Sequence, residues 1–420
     1  MTTSIDSKLP GDVPPPPPWG VRPVGPSPAL ARRLERRPGA EGEVAVVLGA
    51  GGAFGPDVIR ALQLRGMAAV VGADLQLTYP VPDAVYRRLD VSDGPALRDF
   101  LCHVERTAHQ AGLRVGPVFD LSTVQTSPNA AVDRDRLQRG KEALAQALCA
   151  LSGDVRLFYM STAEVYGAPE GAPYGEDHVK APFNDYGREK WHEERVLLAA
   201  HGRPTRGGRL HVVALRSWTI CMVETDAEGR VVETRNYNDP IVAVAERLTR
   251  AGMKVPLVDP DLLAQFHLGE EVTEVALRLG DAPVDAGTWG RPFNCTGQPA
   301  THGEVRDALF DVFSEVAGPR PWWAHAARAA LPRRLPRAGL VAFGRLLERL
   351  GTASGARDLS ARLPFLYRST HVDASALRRS MGGQLSDPAG GSTVEAVRRL
   401  ALGLREGGPH AVNQRRYGMY

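Results

Sequence analysis

Tyr186 and Lys190 stand four positions apart, and Thr162 precedes the tyrosine by about two dozen. On a helix that spacing puts tyrosine and lysine on one face. An ammonium beside a phenol stabilises the phenolate and lowers its pKa from ~10 toward the working range. Tyr186 then becomes a usable general base for a hydroxyl. Thr162 can hold the same oxygen by a hydrogen bond. Two surface residues on one helix would show the same spacing, so the elements that position these side chains have to decide.

The decisive element lies near the start of the chain. Val44 to Leu48 is an apolar run that reads as a buried strand. It enters a turn with Gly49, Gly52 and Gly55 spaced three apart, with Ala53 and Phe54 between them. Gly49 permits the tight turn, Gly52 lets backbone approach a pyrophosphate, and Gly55 lets the following helix pack closely. The helix is expected over Pro56 to Arg65, its free N–H groups aimed at phosphates, with proline tolerated in its first turn. A second strand, Ala68 to Ala73, ends in Asp74, where a ribose diol would be held. No arginine follows to neutralise a 2′-phosphate, so the pattern points to NAD rather than NADP. The positive charge of an oxidised nicotinamide would further favour a Tyr186 phenolate.

Beyond Asp74 the chain keeps alternating strand and helix. A third strand ends near Tyr86 to Val91, and Asp90, beside Val91, could accept a hydrogen bond from an adenine amino group or lie in solvent. Pro95 to Ala111 has helical apolar spacing, Val118 to Leu121 reads as a fourth strand followed by Ser122, and Leu137 to Leu151 as a helix. Val155 to Met160 is a fifth strand running into Ser161-Thr162. Asn184 or Asp185 would cap the helix that carries Tyr186 and Lys190 to about Ala200. This order predicts a Rossmann-type, doubly wound parallel α/β sheet. Its ligands bind at the carboxyl ends of the strands, which places Leu121, Ser122 and Thr162 at the site.

Composition narrows the class. The chain has 420 residues, 43% hydrophobic and 24% charged, with a net charge of +3. That charge is too small to argue for nucleic acid. No apolar run approaches the ~20 residues of a membrane span, and Met1 to Asp12 lacks the order of a signal peptide. The expected location is cytoplasmic. Cys102, Cys149, Cys221 and Cys295 are far apart, without metal-ligand spacing, and read as buried free thiols; no metal site is expected. Residues 1–42, with an unbroken proline run from Pro14 to Pro18, read as a loosely draped or disordered arm.

These residues together resemble the extended short-chain dehydrogenase/reductase family, its NAD-dependent epimerase/dehydratase group, over about residues 43–310. Gly49, Gly52 and Gly55 match its cofactor turn, and Thr162, Tyr186 and Lys190 its catalytic trio. Val165-Tyr166-Gly167, Leu215-Arg216, Phe266 to Val272, and Phe293 to Gly297 with Thr301 and Glu304 match further segments. The resemblance implies oxidation of a substrate hydroxyl with tightly held NAD, often with later return of the hydride. It also implies homodimers joined through the helix of Tyr186 and its neighbour. In the frame Thr162-Ala163-Glu164, Glu164 matches a residue of the sugar dehydratases and decarboxylases and becomes a candidate proton shuttle or a polar wall. Ala163 replaces the aspartate that protonates a leaving hydroxyl in dehydratases. Ser217-Trp218-Thr219 and Ala264-Gln265 stand where nucleotide-contacting residues are usual.

The implied layout is an NAD-binding domain over 43–215 with a return segment at 264–299. A smaller, mostly helical substrate lobe would comprise 216–263 and 300–420. Residues 322–350 are arginine-rich, and read either as core of that lobe or as a basic amphipathic cap for an anionic or lipid-like substrate or a membrane surface. Three functions stay open: an epimerase, dehydratase or dehydrogenase for a small-molecule, sugar-like and nucleotide-linked substrate; a dehydrogenase or ketoreductase for a hydrophobic sterol, lipid or polyketide-like substrate; and a non-catalytic NAD-binding regulator.

Overall fold

The computed structural model describes residues 28–123, 130–167, 171–235, 257–295, 297–315, 367–382 and 392–406, with isolated positions elsewhere. The arginine-rich stretch at 322–350 lies almost wholly outside the described residues.

The core is a seven-stranded parallel sheet. In chain order its first members are β1 (Glu43–Leu48), β2 (Ala69–Asp74), β3 (Val85–Arg88), β4 (Arg114–Asp120), β5 (Val155–Met160) and β6 (Leu210–Arg216). Short strands β7 (Thr219–Cys221), β8 (Val223–Thr225), β9 (Val231–Thr234), β10 (Leu263–Ala264) and β11 (Phe266–Leu268) lie outside it. The chain then returns to the sheet as β12 (Pro292–Asn294) and leaves again at β13 (Ala300–Thr301). The order across the sheet is β3-β2-β1-β4-β5-β6-β12, every pair parallel. This is the expected doubly wound α/β fold. Strand order reverses at β1, and the crevice beside the carboxyl ends of β1 and β4 is where such sheets take ligands.

The described helices are α1 (Pro28–Arg33), α2 (Gly55–Leu64), α3 (Gly94–Gln110), α4 (Ala130–Cys149), α5 (Asp185–Leu198), α6 (Gly269–Gly280), α7 (His302–Ser314), α8 (Ser375–Ser380) and α9 (Thr393–Glu406), of which α2 to α6 flank the sheet. Alternate residues of a strand face opposite sides. Ala45 and Val47 join Val58, Ile59 and Leu62 of α2 and Val272, Val275 and Leu279 of α6 in one core cluster. Val44, Val46 and Leu48 join Leu97, Phe100 and Leu101 of α3 and Leu144 and Leu148 of α4 in the other. Both faces are covered, which is why β1 carries no polar residue after Glu43. Each such side chain contributes about 2 kcal/mol by leaving water.

A smaller apolar cluster joins α7 and α9 through Leu309, Val312, Phe313, Val397 and Leu400, with Cys221 and Leu268. It forms part of the mostly helical C-terminal portion. Gly403 is required in α9, because a side chain there would meet the Glu233 carbonyl carbon at 2.6 Å.

Two expectations need correction. Part of the stretch assigned to a loose arm is built into the fold: Leu30 and Ala40 are wholly buried, and Arg33 pairs with Glu271 and Glu274 of α6. Leu30 and Leu34 share one helical face, which gives the segment an apolar stripe to bury. Further upstream, Arg87 donates to Leu9 O at 3.1 Å, Arg88 N to Asp12 O at 2.7 Å and Leu77 N to Pro15 O at 3.2 Å. These contacts cover the open edge at β3. The four cysteines are free, but only Cys221 and Cys295 are buried; Cys102 and Cys149 are half-buried on helices.

Candidate active site

The glycine turn follows β1 as expected, and its steric demands can be assigned one residue at a time. Gly49 has φ +77°, and a side chain there would lie 2.7 Å from Ser122 N. At Gly55 a side chain would meet Ala50 O at 2.3 Å, so glycine lets α2 close on the turn. Gly51, which the three-residue spacing passes over, is the tightest: a side chain would meet Gln76 O at 1.9 Å. Gly52 differs from all three. It is exposed, and a side chain would find only Gly49 O at 3.5 Å. Protein packing does not demand glycine there, whereas a diphosphate approaching the backbone would. The N-terminus of α2 behind Phe54 has no side-chain cap, which leaves its N–H groups for an anion. Ala53 and Phe54 are half-buried in the same turn.

Asp74 ends β2 beside that turn. Its Oδ2 accepts from Gly51 N at 2.8 Å, and its Oδ1 from Leu75 N at 2.6 Å. Burial raises its pKa against the pull of these backbone donors. The carboxylate is thus held at the rim of the turn, where a ribose diol could reach it. Asp90 accepts from Ser92 N at 2.9 Å and Ser92 Oγ at 2.5 Å; with half-buried Val91 it shapes the loop after β3.

Opposite the turn, Asn184 caps α5 by accepting from Gly187 N at 2.7 Å. Tyr186 is half-buried and Lys190 is buried, one turn further along. Lys190 Nζ donates to Ser122 O at 3.2 Å and to Met160 O at 3.0 Å. Those carbonyls lie just past the end of β4 and at the end of β5, so the lysine ties α5 to both strands. Burial holds its ammonium below the ordinary lysine range, with Glu193, 3.7 Å away, pulling the other way. Leu121, half-buried, donates its N–H to Leu48 O at 2.9 Å and backs the turn.

Thr162 is buried and caps the short helical turn Ala163–Tyr166, accepting from Glu164 N at 3.2 Å. Glu164 Oε2 accepts from Asn184 Nδ2 at 2.6 Å. Asn184 therefore serves twice, with its oxygen on the helix and its nitrogen on Glu164. The strand-end Arg216 pairs with Glu194 of α5 through two hydrogen bonds, 2.5 Å and 3.0 Å. Its other arm donates to Tyr166 OH at 2.7 Å, which donates to Asn294 Oδ1 at 2.7 Å. Burial pushes the Tyr166 hydroxyl up to about 12, so it stays a phenol and acts as a brace.

Residues 45–219 match the model of the NAD dependent epimerase/dehydratase family. Over that stretch the chain is similar to this family. NAD is the cofactor of the family, and the glycine turn, bare helix end and Asp74 fit it. A UDP-glucose 4-epimerase of Azospirillum brasilense is 32% identical over 210 residues, 48% of this chain and 55% of that protein. An ADP-L-glycero-D-manno-heptose-6-epimerase of Brachyspira hyodysenteriae is 26% identical over 168 residues, 40% of this chain and 49% of that protein. The chain thus spans about half the length of these curated relatives. The crystal structure of the Bordetella bronchiseptica enzyme WbmG in complex with NAD superposes with a TM-score of 0.58 at 18% identity, covering 87% of this chain and 94% of that one. It shares the fold. Among the described residues, no helix is long and apolar enough to cross a membrane.

The trio expected from the sequence comes from two segments, Thr162 from the turn after β5 and Tyr186 with Lys190 from α5. Sequence reasoning missed several residues around it: Gly51, the Glu194 partner of Arg216, and a buried lysine on α4, Lys141. Spacing alone could have flagged only Gly51, which adjoins Gly52.

Proposed function

We propose that the protein is an NAD-dependent oxidoreductase of the epimerase/dehydratase type. Its substrate is a hydroxyl of a nucleotide-linked sugar, converted through a transient ketone. The observation that carries this reading is Lys190, bound to the carbonyls of Ser122 and Met160 at the carboxyl ends of the strands beside the glycine turn. A lysine serving only as a surface partner of Tyr186 would have no reason to be buried there. The names of the relatives, a UDP-glucose and an ADP-heptose epimerase, support a sugar nucleotide.

Bound NAD would supply a two-electron hydride acceptor and, for a redox-neutral outcome, the donor. Gly49, Gly52, Ala53, Phe54 and Gly55 would line its diphosphate, Asp74 its adenosine ribose, and Asp90 and Val91 its adenine. Leu121, Ser122, Tyr186 and Lys190 would border the nicotinamide side. Tyr186 takes the hydroxyl proton as the carbon is oxidised, and returns it when the ketone is reduced. Thr162 steadies the same oxygen. Glu164 moves the proton on the carbon that the new ketone acidifies. Helices α4 and α5 would join two copies as a homodimer.

A second reading keeps the oxidation step but takes a hydrophobic alcohol. Gln265 favours it: its Nε2 donates to Gly297 O at 2.8 Å and its Oε1 accepts from Val372 N at 3.1 Å. Both ends are engaged with protein rather than offered to a nucleotide. The test is incubation of purified protein with NAD and either UDP-glucose or an ADP-linked heptose, with NMR of the sugar. Formation of an epimer or a dehydrated product is expected. No change in either sugar, together with oxidation of a sterol alcohol, would replace the first reading by the second.

A further inference from the structure

Asp120, Ser122 and Lys141 close a ring at the end of β4. Lys141 Nζ donates to Asp120 Oδ2 at 2.6 Å and to Ser122 Oγ at 2.7 Å. Ser122 Oγ donates to Asp120 Oδ1 at 2.6 Å, and Ser122 N to the same oxygen at 3.1 Å. The two charged side chains are 2% and 0% exposed. An ion pair buried this deeply adds little stability over an apolar pair of the same size. Its consequence lies in what the ring holds still.

The ring fixes the Ser122 backbone, which faces two ways. Its nitrogen walls the glycine turn, within 2.7 Å of where a side chain on Gly49 would sit. Its carbonyl receives Lys190 Nζ. Other charged and titratable groups surround Lys190 on every packed element. Asp120 comes from β4, Lys141 from α4, Tyr159 from β5, and Glu189 and Glu193 from α5. Tyr159 lies beneath both ammoniums, 5.5 Å from Lys141 and 4.8 Å from Lys190. Its hydroxyl donates to Glu193. The lysines thus balance Asp120 and Glu193, with Glu189 as the remaining acid. Without Lys141, Asp120 would be an uncompensated buried carboxylate with Lys190 as the cation left to draw in.

We propose that Lys141 is a positioning residue for Lys190: by neutralising Asp120 and pinning Ser122, it keeps the Lys190 ammonium on the Ser122 and Met160 carbonyls. This rests on the reading in which Lys190 lowers the titration of Tyr186. The experiment follows that titration as the ultraviolet difference between each protein and the same protein carrying Tyr186→Phe, with NAD present and folding checked by thermal melting. In wild type the Tyr186 phenolate should form well below the ordinary tyrosine range. Lys141→Met should raise its midpoint by about 1 pH unit or more, and Asp120→Asn should lower it. The double variant, which removes both charges together, should return it near wild type. A low midpoint that Lys141→Met leaves unmoved in folded protein overturns the inference and leaves the functional reading standing. An ordinary tyrosine midpoint in wild type overturns both. If Lys141→Met does not fold, Asp120→Asn and the double variant decide: unshifted midpoints in both refute the positioning role, and a downward shift cancelled in the double supports it.

Discussion

At the scale of single residues, the proposed chemistry rests on one proton carrier, Tyr186, and its neighbours. Tyr186→Phe removes only the hydroxyl. Hydride transfer should fall ~100-fold or more, while NAD affinity, measured by fluorescence titration, should stay within a few-fold. In the proposed reaction Glu164 acts after the first oxidation. In Glu164→Gln that oxidation should persist and reduced NAD should accumulate, visible by its near-ultraviolet absorbance. Unchanged turnover would make Glu164 a wall residue. Asp74 belongs to the same scale. A carboxylate at the turn repels a 2′-phosphate, so the wild type should prefer NAD over NADP and Asp74→Ala should narrow the gap. Parallel titrations of both cofactors measure it, and tighter binding of NADP by wild type would remove Asp74 from the ribose site.

At the scale of elements, the helix α5 is set by its cap. Asn184 holds Gly187 N and Glu164 Oε2 at once. Asn184→Ala loses the cap, at a cost of about 1 kcal/mol and a drop in melting temperature of about 2 °C. Asn184→Asp keeps an acceptor for the helix but places a second carboxylate against Glu164. Melting should then change little, while Glu164 loses the Asn184 Nδ2 donor that holds its Oε2. Overall turnover should therefore fall while the first oxidation persists. Turnover that does not fall would separate Glu164 from the steps after the oxidation.

At the scale of the whole molecule, the two ends of the sheet do different work. The carboxyl ends build the site. At the amino ends Glu43, almost fully buried, accepts from Arg114 Nη2 at 2.7 Å and Arg156 Nη2 at 2.8 Å, and also pairs with Arg37. Burial alone would raise the Glu43 pKa, but Arg156, Arg37 and Arg114 outweigh it and hold it below its ordinary value. A lowered folded-state pKa gives stability that is present above the unfolded value of about 4.3 and is lost as pH falls through the folded value. Glu43→Gln should thus destabilise the protein by about 3 kcal/mol at neutral pH and flatten its acid unfolding limb in urea titrations from neutral to acid pH. NAD affinity should be unchanged, since the pair lies at the far end of the strands.

The chain by itself determined the sheet, the turn and the placing of Tyr186 and Lys190 on one helix, because each depends on local patterns. Val44 to Leu48 is apolar throughout since both faces of β1 are covered, and a central parallel strand leaves that mark in sequence. Gly49 and Gly55 sit in a turn whose three-residue spacing is local, and the Tyr186–Lys190 spacing comes from one helical turn. Tertiary structure alone decided the rest. Nothing in the sequence around Lys141 marks it for burial; it is buried because Asp120, at the end of β4, lies across from it. Residues 28–34 look like the end of a proline-rich arm, yet they are ordered by Glu271 and Glu274 of α6, more than two hundred positions away. Gln265 shows its engagement only when Gly297 and Val372 converge on it. A buried charge or a satisfied amide is a property of a pair, and its partner's position is set by the fold rather than by the neighbouring residues.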